Sequence, residues 1–235
     1  MTSHESISRF FYIYSQFLKK DIFNAVGCHG RQDKVIAAFI KPFELLIEPD
    51  GTSDNISGAL DELEKIVDFY LKREGQQAEY LTKTADCPNL NIDKTISRGN
   101  SNHLYNSQPL YNIVKHFVES LSCVKRLRGD FLSQAIVEFN NALSHLYMGY
   151  KTAHTMQKNT NKSITHIYRG TLDNYKSIIK EHSFRISDSH AKDLMSIRCK
   201  EMGTIGGDTK DKDKIAIIED YRRFIVSLPL LVKPA

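Results

Sequence analysis

The stretch Glu138-Phe-Asn-Asn-Ala-Leu-Ser-His145 decides which fold the sequence predicts. It lies in a longer run whose apolar residues recur at helical spacing, at Leu132, Ile136, Phe139, Leu143, Leu146 and Tyr150. That spacing is typical of an amphipathic helix, which we expect over about Asp130–Met156. A second run of this kind follows at Lys162–Glu181. A short polar turn at Gln157–Asn161 therefore predicts an antiparallel helical hairpin.

Helical spacing also accounts for most of the remaining chain. The other predicted helices are Ser6–Gly27, Lys34–Ile47 with a kink or a new helix at Pro42, Ser53 to about Leu81, Pro109–Leu127, Ser189–Met202 and Asp213–Leu228. No stretch alternates apolar and polar residues as a strand would, and no internal repeat is present. We therefore predict an all-α bundle of about seven helices, with the hairpin in its C-terminal half.

The stretch Thr82–Pro109 interrupts the helical pattern, because it is rich in Asn, Ser, Asp and Gly. A long irregular segment inside a compact domain is often a functional loop or a linker. The prediction is therefore an N-terminal helical region over residues 1–81, a polar loop or linker over 82–108, and a C-terminal helical bundle over 109–235.

The composition is that of a globular protein, with 41% hydrophobic and 26% charged residues in a chain of 235. A net charge of +4 permits nucleic-acid binding without requiring it. No apolar run is long enough for a membrane span, and Met1–Ser8 lacks the apolar core of a signal peptide. The cysteines have no zinc-knuckle spacing; they are Cys28, Cys87, Cys123 and Cys199. We expect a cytoplasmic protein with free thiols and with no metal, cofactor or membrane contact.

Polar residues recur along one face of each hairpin helix. These polar residues, which we call the polar seam, are Glu138, Asn141 and His145 on the first helix, and His166, Arg169, Asp173 and Lys176 on the second. All of them except His166, which has no assigned role, are candidate catalytic residues. A turn centred near Asn159 places His145 opposite Asp173, which would orient His145 as a general acid–base group. Arg169 or Lys176 would stabilise a phosphate. The alternative is that these polar residues only set the register of the two helices, or form solvated faces.

Lys125-Arg126-Leu127-Arg128 is the tightest cluster of basic residues. Lys125, Arg126 and Arg128 are therefore candidates for nucleic-acid binding. The alternative is a solvated helix end, where cations interact favourably with the negative end of the helix dipole.

The block Asn140-Asn141-Ala142-Leu143-Ser144-His145, followed by a second helix with His166 and Arg169, resembles the HEPN superfamily over about Gln108–Phe224. The motif of that superfamily is an Arg with a polar residue directly after it, then a His a few residues further on. This chain keeps the polar residue as Asn141 and the histidine as His145. It departs from the motif at Asn140, which stands where the family has Arg.

The resemblance implies a helical bundle that forms homodimers and takes part in prokaryotic antiviral defence or toxin–antitoxin systems. It implies RNA as a substrate or ligand, an effector or antitoxin protein as a partner, and metal-independent ribonuclease activity with His145 as the acid–base group. Loss of the Arg removes a charge that would stabilise the transition-state phosphate. The alternative is therefore a noncatalytic helical adaptor or dimerisation subunit that docks an effector protein.

Two other segments match the spacing of an Arg followed by a His: Arg98–His103 in the polar loop and Arg185–His190 at a helix end. Matches of this length arise by chance in a chain of this composition. No P-loop, nucleophile elbow or zinc-protease motif is present.

Overall fold

A computed structural model describes residues 3–26, 32–48, 53–73, 107–204 and 210–228. Its helices are α1 (Ser3–Val26), α2 (Asp33–Ala38), α3 (Ile40–Ile47), α4 (Ser53–Arg73), α5 (Gln108–Arg128), α6 (Ser133–Lys151), α7 (Met156–Glu181), α8 (Asp188–Met202) and α9 (Asp211–Ser227). Short 3-10 turns cover Ala153–Thr155 and Ser183–Arg185. Within these ranges no residue lies in a strand, and the all-α prediction is confirmed. Among the described helices, none combines the length and the apolar content of a membrane-spanning segment.

Most helix positions agree with the sequence prediction, and two details differ. The predicted second helix breaks at Phe39, and Pro42 lies in the first turn of α3, where a missing N–H costs no helical hydrogen bond. α6 ends at Lys151, so the hairpin turn comes earlier in the chain than the predicted Gln157–Asn161. The polar loop over 82–106 and the extension of α4 towards Leu81 lie outside the described residues.

The early turn brings Met156 close to Gly149. A Cβ atom at Gly149 would lie 2.9 Å from the Met156 sulfur and 3.3 Å from the Met156 Cα atom. Glycine therefore allows the start of α7 to approach the last turn of α6 closely. The side-chain amide of Asn159 donates to the Thr155 carbonyl oxygen at 3.0 Å, which stabilises the first turn of α7.

The chain divides into two compact units. The first comprises residues 1–107 and 146–159, and the second comprises 108–145 and 160–235. Residues 146–159, which the sequence prediction assigned to the C-terminal region, therefore group with the first unit. The residues of the polar seam all belong to the second unit.

The first unit has an aromatic core. Phe39 contacts both Phe10 and Tyr14 of α1 edge-on, with ring centroids 5.7 and 5.4 Å apart. Phe11 packs on Tyr150 at 4.8 Å. The buried ammonium of Lys20 donates to the carbonyl oxygens of residues 70 and 71 near the end of α4, at 3.1 and 2.8 Å. These contacts join α1 to the other helices of the unit.

The second unit is packed around α7. Phe117 of α5 stacks on Phe139 of α6 with centroids 5.6 Å apart. Gly170 of α7 faces both helices, because a Cβ atom there would lie 3.0 Å from Phe117 Cε2 and 3.3 Å from Glu138 Cβ. The hydroxyl of Ser163 donates to the Ala142 carbonyl oxygen at 2.8 Å. These contacts bring the backbones of α6 and α7 close together beside the polar seam.

Candidate functional site

The central contact of the polar seam joins Glu138 to His166. Oε2 of Glu138 lies 2.6 Å from Nδ1 of His166. Both side chains are half-buried, with exposed fractions of 12% for Glu138 and 20% for His166. A carboxylate that accepts the Nδ1 proton holds the imidazole in one orientation and leaves Nε2 to face a substrate.

His145 lies against His166 on the neighbouring helix. The two imidazole rings are stacked, with centroids 5.2 Å apart and planes inclined by 22°. His145 is also half-buried, so the pair lies at the edge of the helix interface and not in the apolar core. The site therefore contains two adjacent imidazoles, one of them held by a carboxylate.

The predicted register of the hairpin is wrong. The prediction placed His145 opposite Asp173, whereas the ring of His145 lies on His166. Asp173 is two helical turns further along α7, about 10 Å along its axis. The physical reason is the early turn after Lys151, which shifts the residues of α7 that face α6.

The remaining residues of the seam differ in exposure. Asn141 is half-buried on α6, and Arg169 is exposed on α7, one turn from His166. Asn140, which stands at the Arg position of the HEPN motif, is 9% exposed, and its carbonyl oxygen accepts a hydrogen bond from Ser144 at 3.0 Å. The exposed cation closest in sequence to His166 is Arg169, three residues further along α7.

Asp173 lies between charges of both signs. Burial raises the pKa of its carboxyl group, and the negative charges of Glu138 and Glu201 raise it further. Lys176 and Arg169 act in the opposite direction, but the pKa stays above the ordinary value of 3.8. The carboxyl group therefore holds a proton at higher pH than a solvated aspartate does.

Lys176 binds a carboxylate of another helix. Its ammonium lies 2.5 Å from Oε1 of Glu201 on α8. The sequence pattern predicted that Lys176 would stabilise a phosphate. It did not indicate Glu201, because Glu201 lies on a helix whose apolar pattern is weak. Burial alone would raise the pKa of Glu201, but hydrogen bonds from Lys176 and Tyr221 lower it below the ordinary value.

The three candidate nucleic-acid-binding cations at the end of α5 have different surroundings. The Lys125 ammonium lies 5.3 Å from the centre of the Phe131 ring. The Nε atom of Arg128 lies 2.9 Å from Oε1 of Glu181. Arg126 is exposed and forms no ion pair with any residue that the structure describes. Of the three, Arg126 is therefore the most available to an anion.

Arg126 lies at one end of a groove between α5 and α9. The groove contains two adjoining cavities, of about 580 and 410 Å³, which share Glu119 and Arg222. The larger cavity is mainly apolar and is lined in part by Val118 and Ile225. In the smaller, Nδ1 of His116 lies 3.5 Å from Oε1 of Glu219.

The other sequence candidates contribute less. Arg98, His103, Cys28 and Cys87 lie outside the described residues, while Cys123 and Cys199 are free thiols. Nδ1 of His190 lies 3.0 Å from the hydroxyl of Ser187, the residue that caps α8. Within the described ranges, no three His, Cys, Asp or Glu side chains are grouped as metal ligands.

The chain matches no protein-family model, no curated protein and no solved structure. Two imidazoles, a carboxylate that orients one of them and an exposed guanidinium are groups that can transfer protons beside a phosphate and stabilise its charge.

Proposed function

We propose that the polar seam binds RNA and cleaves its phosphodiester bonds without a metal ion. The observation that supports this proposal is the half-buried array of Glu138, His166 and His145, with Arg169 exposed one turn away. Two histidines side by side can accept one proton and deliver another within a single reaction. The mildly basic charge of the chain favours an anionic substrate.

In the proposed reaction the ribose 2′-hydroxyl attacks the adjacent phosphorus. One imidazole of the His145–His166 pair takes the hydroxyl proton as the new O–P bond forms. The other imidazole donates a proton to the 5′-oxygen as the old P–O bond breaks, which leaves a 2′,3′-cyclic phosphate. Glu138 orients His166, and Arg169 supplies the positive charge that Asn140 cannot supply.

The test is cleavage of total cellular RNA by the purified protein in the presence of a chelator. We expect cleavage by the wild type and its loss in His145→Ala and in His166→Ala. The matched control is His154→Ala, since His154 is exposed and lies in the other unit. An unchanged rate in both seam variants, with folding verified by circular dichroism, would exclude this site.

We further propose that the protein acts in the cytoplasm as a homodimer within a prokaryotic defence or toxin–antitoxin system. The support is the resemblance of residues 108–224 to HEPN domains. Expression of the wild type in a bacterial host should slow growth, and expression of His166→Ala should not. Equal growth with both would argue against a toxin.

A second candidate function is the noncatalytic adaptor that docks an effector protein. It is favoured by the large apolar side chains exposed around α8: Phe184 is 76% exposed, Met195 68% and Met202 63%. Exposed methionines are typical of surfaces that adapt to protein partners. An adaptor would lack RNA cleavage and would lose its partner when Met195 and Met202 are replaced by Ser.

A further inference from the structure

α8 is attached to the second unit by few apolar contacts. Of its 15 residues, only Ile197 and Glu201 are buried. Burying a single apolar side chain contributes about 1.5–3 kcal/mol, which is a small contribution for a helix of this length. Polar contacts therefore contribute to the position of α8, namely those of Glu201 and the ion pair of Lys200 with Asp220 on α9 at 2.7 Å.

Glu201 gathers three donors from three helices. Its Oε1 atom lies 2.5 Å from the ammonium of Lys176 on α7. Its Oε2 atom accepts from the guanidinium of Arg198 on α8 at 2.5 Å and from the hydroxyl of Tyr221 on α9 at 2.6 Å. The Glu201 side chain is 10% exposed, so solvent screens these interactions little.

Lys176 continues the face of α7 that carries His166, Arg169 and Asp173. Its side chain is 34% exposed, so the ammonium has access to solvent beside the seam. The positive charge of Lys176 also lowers the pKa of Asp173, one turn away, against the larger effect of burial. Without Glu201, the ammonium would interact with Asp173 or with a bound anion. Glu201 is thus a competitor of any phosphate that approaches this end of the seam.

We infer that the Glu201–Lys176 ion pair is an autoinhibitory contact that withholds Lys176 from RNA. Displacement of α8, or loss of the Glu201 charge, releases the Lys176 ammonium and adds one cation to the RNA-binding face. This inference rests on the proposed function, because RNA is the anion that the released lysine would bind.

The test measures the affinity for a single-stranded RNA as a function of salt concentration, in the wild type and in Glu201→Gln. We expect Glu201→Gln to bind RNA about fivefold more tightly at low salt. This is the upper limit for one exposed ion pair, here the pair that Lys176 would form with an RNA phosphate. One additional phosphate contact should also steepen the logarithmic salt dependence by about 0.7. Partial unfolding of the variant would weaken binding, so tighter binding cannot result from it.

Two further variants make the test specific to Lys176. The double variant Glu201→Gln/Lys176→Gln should lose the gain in affinity. Arg198→Gln removes another cation from the same carboxylate, but Arg198 lies on α8 and not on the seam, so this variant should show no gain. Equal affinity in the wild type and Glu201→Gln, or a gain that persists in the double variant, would overturn the inference.

A second measurement separates this inference from the proposed function. Acetylation of Lys176 by a soluble reagent, followed by mass spectrometry, reports release of the ammonium whether or not RNA binds. We expect faster acetylation of Lys176 in Glu201→Gln than in the wild type, and an equal rate would refute the inference. If no variant binds RNA but Lys176 is acetylated faster in Glu201→Gln, the proposed function fails. The result would still show that the ion pair with Glu201 keeps the Lys176 ammonium from other partners.

Discussion

Oε2 of Glu138 lies 2.6 Å from Nδ1 of His166, which joins α6 to α7 at the edge of the helix interface. In the proposed ribonuclease, this contact gives Glu138 the role of a positioning residue that acts through His166. The sequence pattern placed His166 in the seam without a role, whereas the structure shows that its imidazole is held by a carboxylate.

The first prediction concerns this contact. Glu138→Gln keeps the size of the side chain but removes the charge that orients His166. We expect kcat for RNA cleavage to fall at least about tenfold while KM changes little, because an acid–base group itself contributes about 10²–10⁴-fold and Glu138 acts only through His166. Single-turnover kinetics with a defined RNA would separate the two constants.

The matched control for Glu138→Gln is Glu62→Gln, because Glu62 is exposed and lies in the other unit. It should leave both constants unchanged. An increase in KM with unchanged kcat in Glu138→Gln would instead place Glu138 in RNA binding.

The second prediction concerns the close approach of α7 to its neighbours. In Gly170→Ala the new methyl group would lie 3.0 Å from Phe117 Cε2 and 3.3 Å from the carbonyl oxygen of Ala135. Overpacking costs about 1–3 kcal/mol, which outweighs the roughly 1 kcal/mol gained from the better helix propensity of alanine. We therefore expect a lower free energy of unfolding, measured with urea.

Gly58→Ala is the control for that measurement. Gly58 also lies inside a helix, but nothing lies within 4 Å of the position of its Cβ atom. Only the propensity effect remains, so Gly58→Ala should raise the free energy of unfolding by about 0.5–1 kcal/mol. If both variants shifted stability in the same direction, packing at Gly170 would not be the cause.

The helices could be predicted from the sequence because each one buries a continuous apolar stripe. The stripe of α5, for example, includes Ile113, Val114 and Phe117, and all three are buried. The hairpin turn could not be placed in this way, because the apolar spacing continues through it. Gly149 leaves room for Met156 to approach α6 after the early turn, and a glycine inside an apolar run does not by itself indicate such an approach.

The candidate site was predictable only in part, because the apolar spacing does not place the hairpin turn. The helical period places Glu138 and His145 on one face of α6 and His166 on one face of α7. The structure brings these three side chains together. Which residues face each other depends on the position of the turn, so the pairing of His145 with Asp173 was wrong. Glu201 had no signal in the sequence, since its contacts depend on how three successive helices pack, which the helical period does not determine.

The third prediction separates the basic residues at the end of α5. Arg126→Gln should weaken RNA binding several-fold and lower the salt slope by about 0.7, because Arg126 forms no ion pair with the described residues. Lys125→Gln should have a smaller effect, because its ammonium lies against the Phe131 ring. Fluorescence anisotropy with a labelled RNA at several salt concentrations would measure both. Equal effects of the two substitutions would indicate a diffuse electrostatic attraction without a specific role for Arg126.

The fourth prediction follows from the raised pKa of Asp173, whose first cause is burial. Because the folded state binds this proton more tightly than the unfolded chain, ionisation of Asp173 destabilises the fold above the folded-state pKa. Asp173→Asn should therefore be more stable than the wild type at pH 7. The difference should shrink as the pH falls through the folded-state pKa towards the ordinary value of 3.8. Urea unfolding from pH 7 down to about pH 4 would measure it, and a less stable variant at pH 7 would contradict the prediction.

The fifth prediction has the opposite sign and concerns Glu201, whose pKa is lowered because hydrogen bonds from Lys176 and Tyr221 outweigh burial. Its ionised form stabilises the fold above the ordinary value of 4.5, and that contribution is lost as the pH falls through the lower folded-state pKa. Glu201→Gln should therefore be less stable than the wild type at pH 7, and the two should converge in acid. The same urea titrations should show that Asp173→Asn raises the free energy of unfolding at pH 7 and that Glu201→Gln lowers it. If both substitutions changed the free energy of unfolding in the same direction, the charges around Lys176 would not be arranged as the structure shows.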